Sequence, residues 1–297
     1  MYILNLIRWK NLLILIFSAL LIRFSLLPGF GVDLELSLFH YSLVILAVVC
    51  FGAGGNIIND FFDITTDSIN KPQRLVVDKL ISREKTLGLY GMTNLLGLAS
   101  LLYLLINQAF ESHLLVFYIL LASPLALAAY SIWLKKKAII GNILVSLLVG
   151  LSIYCLGTIL IEKSQHPVVF FTIIVYSVLT FLINLSREMV KDIEDIKGDY
   201  FCGMSTLPIL IGKRRTNYIV FSIIILSVFI LLSILLTYFL SLNLVMFYMF
   251  TFVILPLILI SKRTLSAKSE KDYKDISSHL KLVFLTGLCS MITFLFI

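Results

Sequence analysis

Long apolar runs separated by short polar stretches fill the chain. A membrane-crossing helix takes about 20 apolar residues. Such runs fall near residues 11–30, 38–58, 86–106, 112–134, 139–161, 167–186, 216–240, 243–261 and 278–297. Polar turns mark most of their ends, and the seventh and eighth runs are divided only by Ser241 to Asn243. The runs are continuous, not alternating, which argues for helices and against a β-barrel. The pattern predicts an all-α bundle of nine transmembrane helices around a central cavity, with residues 1–297 forming one membrane domain.

Composition agrees. The chain is 60% apolar and 14% charged, against about 25% charged in an ordinary soluble domain. Mean hydropathy is +1.02. Arg8 and Lys10 before an apolar run resemble a signal peptide, but that run continues to Pro28 without an evident cleavage site, so it reads as a retained first span. Cys50, Cys155, Cys202 and Cys289 show no metal-ligand spacing, and three of them lie in apolar runs.

Charge tests the division into spans. A net charge of +7 suggests nucleic acid, but the basic residues lie in short loops between spans, so no nucleic-acid partner is expected. When the connections are numbered alternately, one set holds 21 of the 24 basic residues and the other holds Lys163 alone. Arg23 and Lys281 fall inside spans; Arg23 is expected to snorkel to the outer interface. The basic set faces the cytoplasm by the positive-inside rule. That places the N-terminus inside and the C-terminus outside. The two richest acidic segments follow the second and sixth spans, so they share the cytoplasmic face. Their separation by four spans suggests a repeat of helices 1–4 and 5–8 plus a ninth helix. Asn59, Asp63 and Asp67 would then match Asn184, Glu188 and Asp192.

The first segment reads GNIINDFFDITTDSINKPQR and the second REMVKDIEDIKGDY. Asn59, Asp63 and Asp67 are four residues apart and share one helical face, which Asn56 joins. Glu188, Asp192, Asp195 and Asp199, spaced by four, three and four, form a second stripe. Two carboxylates about 6 Å apart repel by roughly 3 kcal/mol at an effective dielectric near 20. A divalent cation offsets that repulsion. Mg²⁺ typically takes one or two carboxylates plus substrate phosphates, and Lys71, Arg74 and Lys191 stand among the acids. A solvated helix end is the bland reading of either segment alone. Two matched segments at the membrane boundary on one face favour a functional site.

These residues resemble the UbiA superfamily of intramembrane prenyltransferases. Asn59, Asp60, Asp63 and Asp67 are similar to its N-D-x-x-D-x-x-x-D motif, Asn70 to Arg74 to its N-K-P-x-R stretch, and Asp195 to Asp199 to its D-x-x-x-D motif, with Ser205-Thr206-Leu207-Pro208 following. Tyr130, Ser131, Lys135, Gly141 and Asn142 resemble a further signature between them. KDIEDIKGD looks most like the branch that makes digeranylgeranylglyceryl phosphate. The chain departs from the common pattern after Arg74, with Leu75 where proline is usual and Val77-Asp78 in place of Ser-Gly.

The resemblance implies Mg²⁺-dependent transfer of a prenyl group, geranylgeranyl in that branch, from a polyprenyl diphosphate donor to a lipid-like acceptor in membrane lipid biosynthesis. It implies Asn59, Asp63, Asp67, Asp195 and Asp199 as metal ligands, the four aspartates being catalytic. Lys71, Arg74, Tyr130, Ser131, Lys135, Lys191 and Asp192, with Asn59, are the expected substrate-binding residues. Lys71, Arg74 and Lys135 would meet the phosphates. Phe51, Phe61, Phe62, Tyr130, Trp133 and Tyr154 form the pool for shielding a carbocation. Asp192, Glu188 or a motif aspartate would take the acceptor's proton. Asn11 either caps the first span or lines the cavity, and the four histidines read as interfacial. An aromatic acceptor, as in quinone synthesis, is the alternative within this chemistry. A cation transporter is the alternative of another class. Nothing in the sequence bears on oligomeric state.

Overall fold

A computed structural model describes residues 2–73, 75–162, 165–240 and 242–296, so Arg74, Lys163 and Ser241 lie outside the described residues. Among the described residues, nine helices are long and apolar enough to cross a membrane: α1 (Trp9–Gly29), α2 (Leu38–Phe62), α3 (Arg83–Ile106), α4 (Leu114–Ile132), α5 (Ile140–Thr158), α6 (Pro167–Glu194), α7 (Lys213–Tyr238), α8 (Asn243–Ser266) and α9 (Glu270–Phe296). Extended pairing among them is limited to two isolated bridges, Val77 with Ile81 and Lys137 with Ser205. The all-α, nine-span expectation is met.

Helix ends and apolar ends differ. The second apolar run stops at residue 58 and the sixth at 186, yet α2 continues to Phe62 and α6 to Glu194. Backbone hydrogen bonding does not stop where hydropathy falls. Asn59, Asp60 and the whole stretch Arg187–Glu194 therefore ride on rigid span helices. Serines cap the starts of α2, α3 and α9: Ser37 accepts from the His40 amide, Ser82 from that of Lys85, and Ser269 forms a capping box with Asp272.

Burial separates inner helices from outer ones. α2 and α6 bury 56% of their most apolar stretch, α3 and α4 only 22%. The two inner helices are the two that lead into the acidic segments. At the other end of the bundle, Arg23 corrects an expectation. It is buried, donates to the Leu36 carbonyl at 3.0 Å, and its guanidinium lies 5.3 Å from the Tyr41 ring centre. It sits in a π-helical turn of α1, Ile22–Leu26. Tyr41 donates its hydroxyl toward the Ala19 and Leu156 carbonyls, both at 3.1 Å. Arg23 is thus held within the protein and does not snorkel.

Candidate active site

The two acidic segments make the same corner. Asp63 ends α2 with φ −94° and ψ 5°, and a short helix follows, Ile64–Asn70. Asp195 ends α6 with φ −92° and ψ 5°, and a short helix follows, Ile196–Phe201. Four-residue hydrogen bonding runs through both corners. The Asp63 amide donates to Asn59 O at 2.9 Å and that of Asp67 to Asp63 O at 2.7 Å; the Asp195 amide donates to Lys191 O at 2.8 Å and that of Asp199 to Asp195 O at 3.2 Å. The corners therefore match Asp63 with Asp195 and Asp67 with Asp199. The register expected from the sequence, Asp63 against Glu188, lies about two helical turns away from this match.

Side chains tie the corners together. Asn70 Nδ2 donates to the Asp195 carbonyl at 2.9 Å, and the Gly198 amide donates to Asn70 Oδ1 at 2.9 Å. Lys71 Nζ donates to Asp195 Oδ2 at 2.6 Å. From the connection between α4 and α5, Lys135 Nζ donates to Asp63 Oδ1 at 2.5 Å, and the Lys136 carbonyl accepts from the Ser205 amide at 2.9 Å. Three loops close on one point. Glycine is required at two of the contacts. A Cβ on Gly198 would stand 2.5 Å from Asn70 Nδ2, and one on Gly141 2.8 Å from Lys135 Cα.

Asp63, Asp67, Asp195, Asp199, Asn59, Lys71 and Lys135 thus stand on or beside the joined corners. Burial, with the Asp63 and Asp60 carboxylates adding, pushes Asp67 up to about 6. Burial, with Asp195 and Asp63 adding, pushes Asp199 up to about 7. A cation bound nearby would favour the charged form of both. Among the described residues no three acidic, histidine or cysteine side chains already form a metal cage. The first aspartate of each corner instead pairs with a lysine. The donor set nevertheless fits a hard cation. Asn59 Nδ2 donates to Asp63 Oδ2 at 2.7 Å, an orientation fixed by the carboxylate, which only accepts. Its Oδ1 is then buried with no donor among the described residues. An orphaned amide oxygen beside carboxylates is the oxygen chemistry Mg²⁺ takes.

Below the corners lies a cavity of about 270 Å³. Asn59, Lys191 and Tyr130 line it; the four motif aspartates do not, Asp63 and Asp195 standing one helical turn beyond Asn59 and Lys191, and Asp67 and Asp199 a further turn away. Its deeper wall is apolar, with Leu12, Leu15, Val48, Phe51 and Ile119. Of the aromatic pool, Phe51 and Tyr130 line it, and Phe284 joins them unforeseen. Trp133 and Phe62 are exposed. Asn11 lines the cavity, which settles its open reading. Ser131 does not, and its hydroxyl donates to the Leu127 carbonyl at 2.9 Å. Asp192 accepts from Asn142 at 2.8 Å. Arg8, Arg187 and Lys281 also line the cavity. Sequence reading assigned the first two to orientation, and Lys281, a lone charge inside a span, was the signal that went unused.

The UbiA prenyltransferase family model matches residues 12–285. The chain belongs to the UbiA prenyltransferase family. It is an integral, multi-pass membrane prenyltransferase, and the cation-transport alternative falls. The digeranylgeranylglyceryl phosphate synthase of Korarchaeum cryptofilum is 31% identical over 239 residues, 80% of this chain and 79% of that one. That of Sulfurisphaera tokodaii is 34% identical over 238 residues, 80% of each. A solved structure of a digeranylgeranylglyceryl phosphate synthase aligns over 98% of both chains with a TM-score of 0.69 and 25% identity. A UbiA homologue from Archaeoglobus fulgidus, bound to GPP and Mg²⁺, shares the fold at a TM-score of 0.65 and 17% identity, over 98% of this chain and 99% of that one.

Proposed function

We propose that this UbiA enzyme moves a geranylgeranyl group from its diphosphate to geranylgeranylglyceryl phosphate, with Mg²⁺, in membrane lipid synthesis. The observation that carries the reading is the pair of aspartate corners, clipped together by Asn70 and Lys71, above an apolar cavity. Relatives named for this synthase support the acceptor, and the Mg²⁺-bound homologue supports the metal.

Asn59, Asp63, Asp67, Asp195 and Asp199 would hold the metal, which when bound supplies Lewis-acid stabilisation of negative charge on the leaving diphosphate. The protein does the rest. Lys71 and Lys135, placed at the corners by their aspartate partners, present positive charge to the diphosphate oxygens. The allylic C–O bond breaks and its electron pair leaves with the diphosphate. The acceptor hydroxyl oxygen bonds the freed carbon, and its proton passes to a carboxylate. Among the candidate bases Glu188 is the one that lines the cavity. Apolar walls and the faces of Phe51 and Tyr130 keep water from the cation.

The 21-to-one basic asymmetry supports a cytoplasmic site, an inside N-terminus and an outside C-terminus. We read residues 1–297 as one domain whose corners mark an internal repeat. Purified protein, given labelled geranylgeranyl diphosphate with either geranylgeranylglyceryl phosphate or an aromatic acid, tests the activity. The lipid product is expected, in Mg²⁺ and not in EDTA, and is lost in Asp63→Ala and Asp195→Ala. Product from the aromatic acid alone would overturn the assignment.

A further inference from the structure

The cavity has a second charged wall that the metal chemistry does not use. Arg8, Arg187, Lys191 and Lys281 line it, contributed by the turn before α1, by α6 and by α9. Two carboxylates face these four cations. Arg8 pairs with Asp60 at 2.8 Å; Lys191 and Arg187 share Glu188, at 2.5 and 3.4 Å. Lys281 has no carboxylate partner among the described residues and donates to Asn11 Oδ1 at 2.7 Å. Arg187 Nε is buried and has no acceptor among the described residues. An excess of two positive charges therefore stands beside an apolar chamber, with a guanidinium donor unspent. Unpaired positive charge on the wall of a cleft concentrates anions there, so an anion suits this place.

Position separates this wall from the corners. Lys191 lies one turn before Asp195 on α6. Arg187 lies a further turn deeper, about 12 Å from Asp195 along the axis at 1.5 Å per residue. We propose that the Arg187–Lys281 wall is a second anion subsite, taking the phosphomonoester head of the acceptor lipid. The inference rests on the function proposed above. A glyceryl phosphate lipid with one ether chain has one free hydroxyl left on its three-carbon backbone. Anchoring its phosphate at Arg187 and Lys281 holds that hydroxyl on the corner side of the cavity, while its apolar chain follows the Leu12, Leu15 and Phe284 wall. Two uncompensated charges suit a phosphate dianion better than a carboxylate, and guanidinium geometry suits two of its three terminal oxygens. The wall thereby selects a phosphorylated acceptor over a neutral alcohol.

The test uses the full chain in detergent. Binding of geranylgeranylglyceryl phosphate and of the dephosphorylated alcohol is measured by calorimetry in EDTA, where the donor site lacks its cation. Acceptor and donor KM are measured separately in Mg²⁺. Wild type should bind the phosphate form in EDTA and prefer it over the alcohol. Lys281→Gln should weaken phosphate-lipid binding and raise acceptor KM about tenfold or more, as loss of a charged hydrogen bond predicts, with donor KM unchanged. Arg187→Lys, which keeps the charge, should retain part of the preference that Arg187→Gln loses. Product formation with Lys281→Gln at wild-type acceptor KM would overturn the subsite while leaving the function intact. A rise in donor KM alone would also overturn it, by assigning the wall to the diphosphate. Binding in EDTA without product would instead uphold the subsite and fail the proposed reaction.

Discussion

Asn70→Ala removes the clip between the two aspartate corners. Asn70 makes two hydrogen bonds there, to the Asp195 carbonyl and from the Gly198 amide, both 2.9 Å long. Each is worth about 1 kcal/mol net. The Asp195 carbonyl keeps the Asp199 amide at 3.2 Å, so it stays paired. The Gly198 amide loses its acceptor. About 2 kcal/mol of corner-to-corner contact is lost. If the joined corners are what binds the metal–diphosphate group, that loss appears as a donor KM and a Mg²⁺ half-saturation raised by roughly 30-fold, since 1.4 kcal/mol is tenfold.

The assay is prenyl transfer at saturating acceptor, titrated first with donor and then with Mg²⁺. Thermal unfolding in detergent is measured alongside. The variant should keep a transition close to wild type, because the nine spans do not depend on this clip. Asn70→Asp offers a graded check. It retains an acceptor for the Gly198 amide but sets a carboxylate against the Asp195 carbonyl, so its effect should equal or exceed that of alanine. A folded Asn70→Ala enzyme with donor KM and Mg²⁺ half-saturation both within about twofold of wild type would refute the reasoning.

Three further changes probe the same loops. Gly141→Ala places a Cβ 2.8 Å from Lys135 Cα and 2.9 Å from the Leu134 carbonyl; backbone cannot yield cheaply, so about 1–3 kcal/mol of overpacking strain should lower the melting temperature and turnover together, and a wild-type melting curve would contradict this. Lys135→Met strips Asp63 of its 2.5 Å partner, so melting should fall more in EDTA than in Mg²⁺; equal losses in both would count against a shared role for lysine and cation. Asn59→Leu removes the orphaned amide oxygen and should raise Mg²⁺ half-saturation by about 10–100-fold, the range for lost supporting contacts at a metal, whereas an unchanged titration would exclude Asn59 from the metal's surroundings.

Much of the site was legible because its signals are local. Four-residue spacing put Asn59, Asp63 and Asp67 on one face, and hydrogen bonding holds them there even across the Asp63 corner. Charge asymmetry divided the spans correctly because loops carry the basic residues. What was hidden depends on packing between distant segments. Arg23 looks like any interfacial arginine until Leu36 and Tyr41 are seen around it. Arg187 and Lys281 are 94 residues apart in sequence and share a cavity only because α6 and α9 pack together. Ser131 lies inside a family signature, yet its hydroxyl is spent on its own helix at Leu127. A motif identifies a position and leaves open which way its side chain turns.

The lysines at the corners balance part of the negative charge of an acidic site. Asp63 and Asp195 begin their corners in the same backbone conformation, and each takes a lysine from a different loop, Lys135 and Lys71. Asp67 and Asp199 have no lysine within ion-pair reach among the described residues, and burial raises both above the ordinary carboxylate range. Internal ion pairs therefore tie the loops together. Tying them together lowers the entropic cost of binding. It also leaves the carboxylates nearest the loops' far ends short of positive charge. Under the function proposed above, these lysines would exchange an aspartate for a phosphate oxygen when a metal–diphosphate group binds. A site built from loose acidic loops would have to fold around the substrate instead, exposing the allylic carbon to water while it did so.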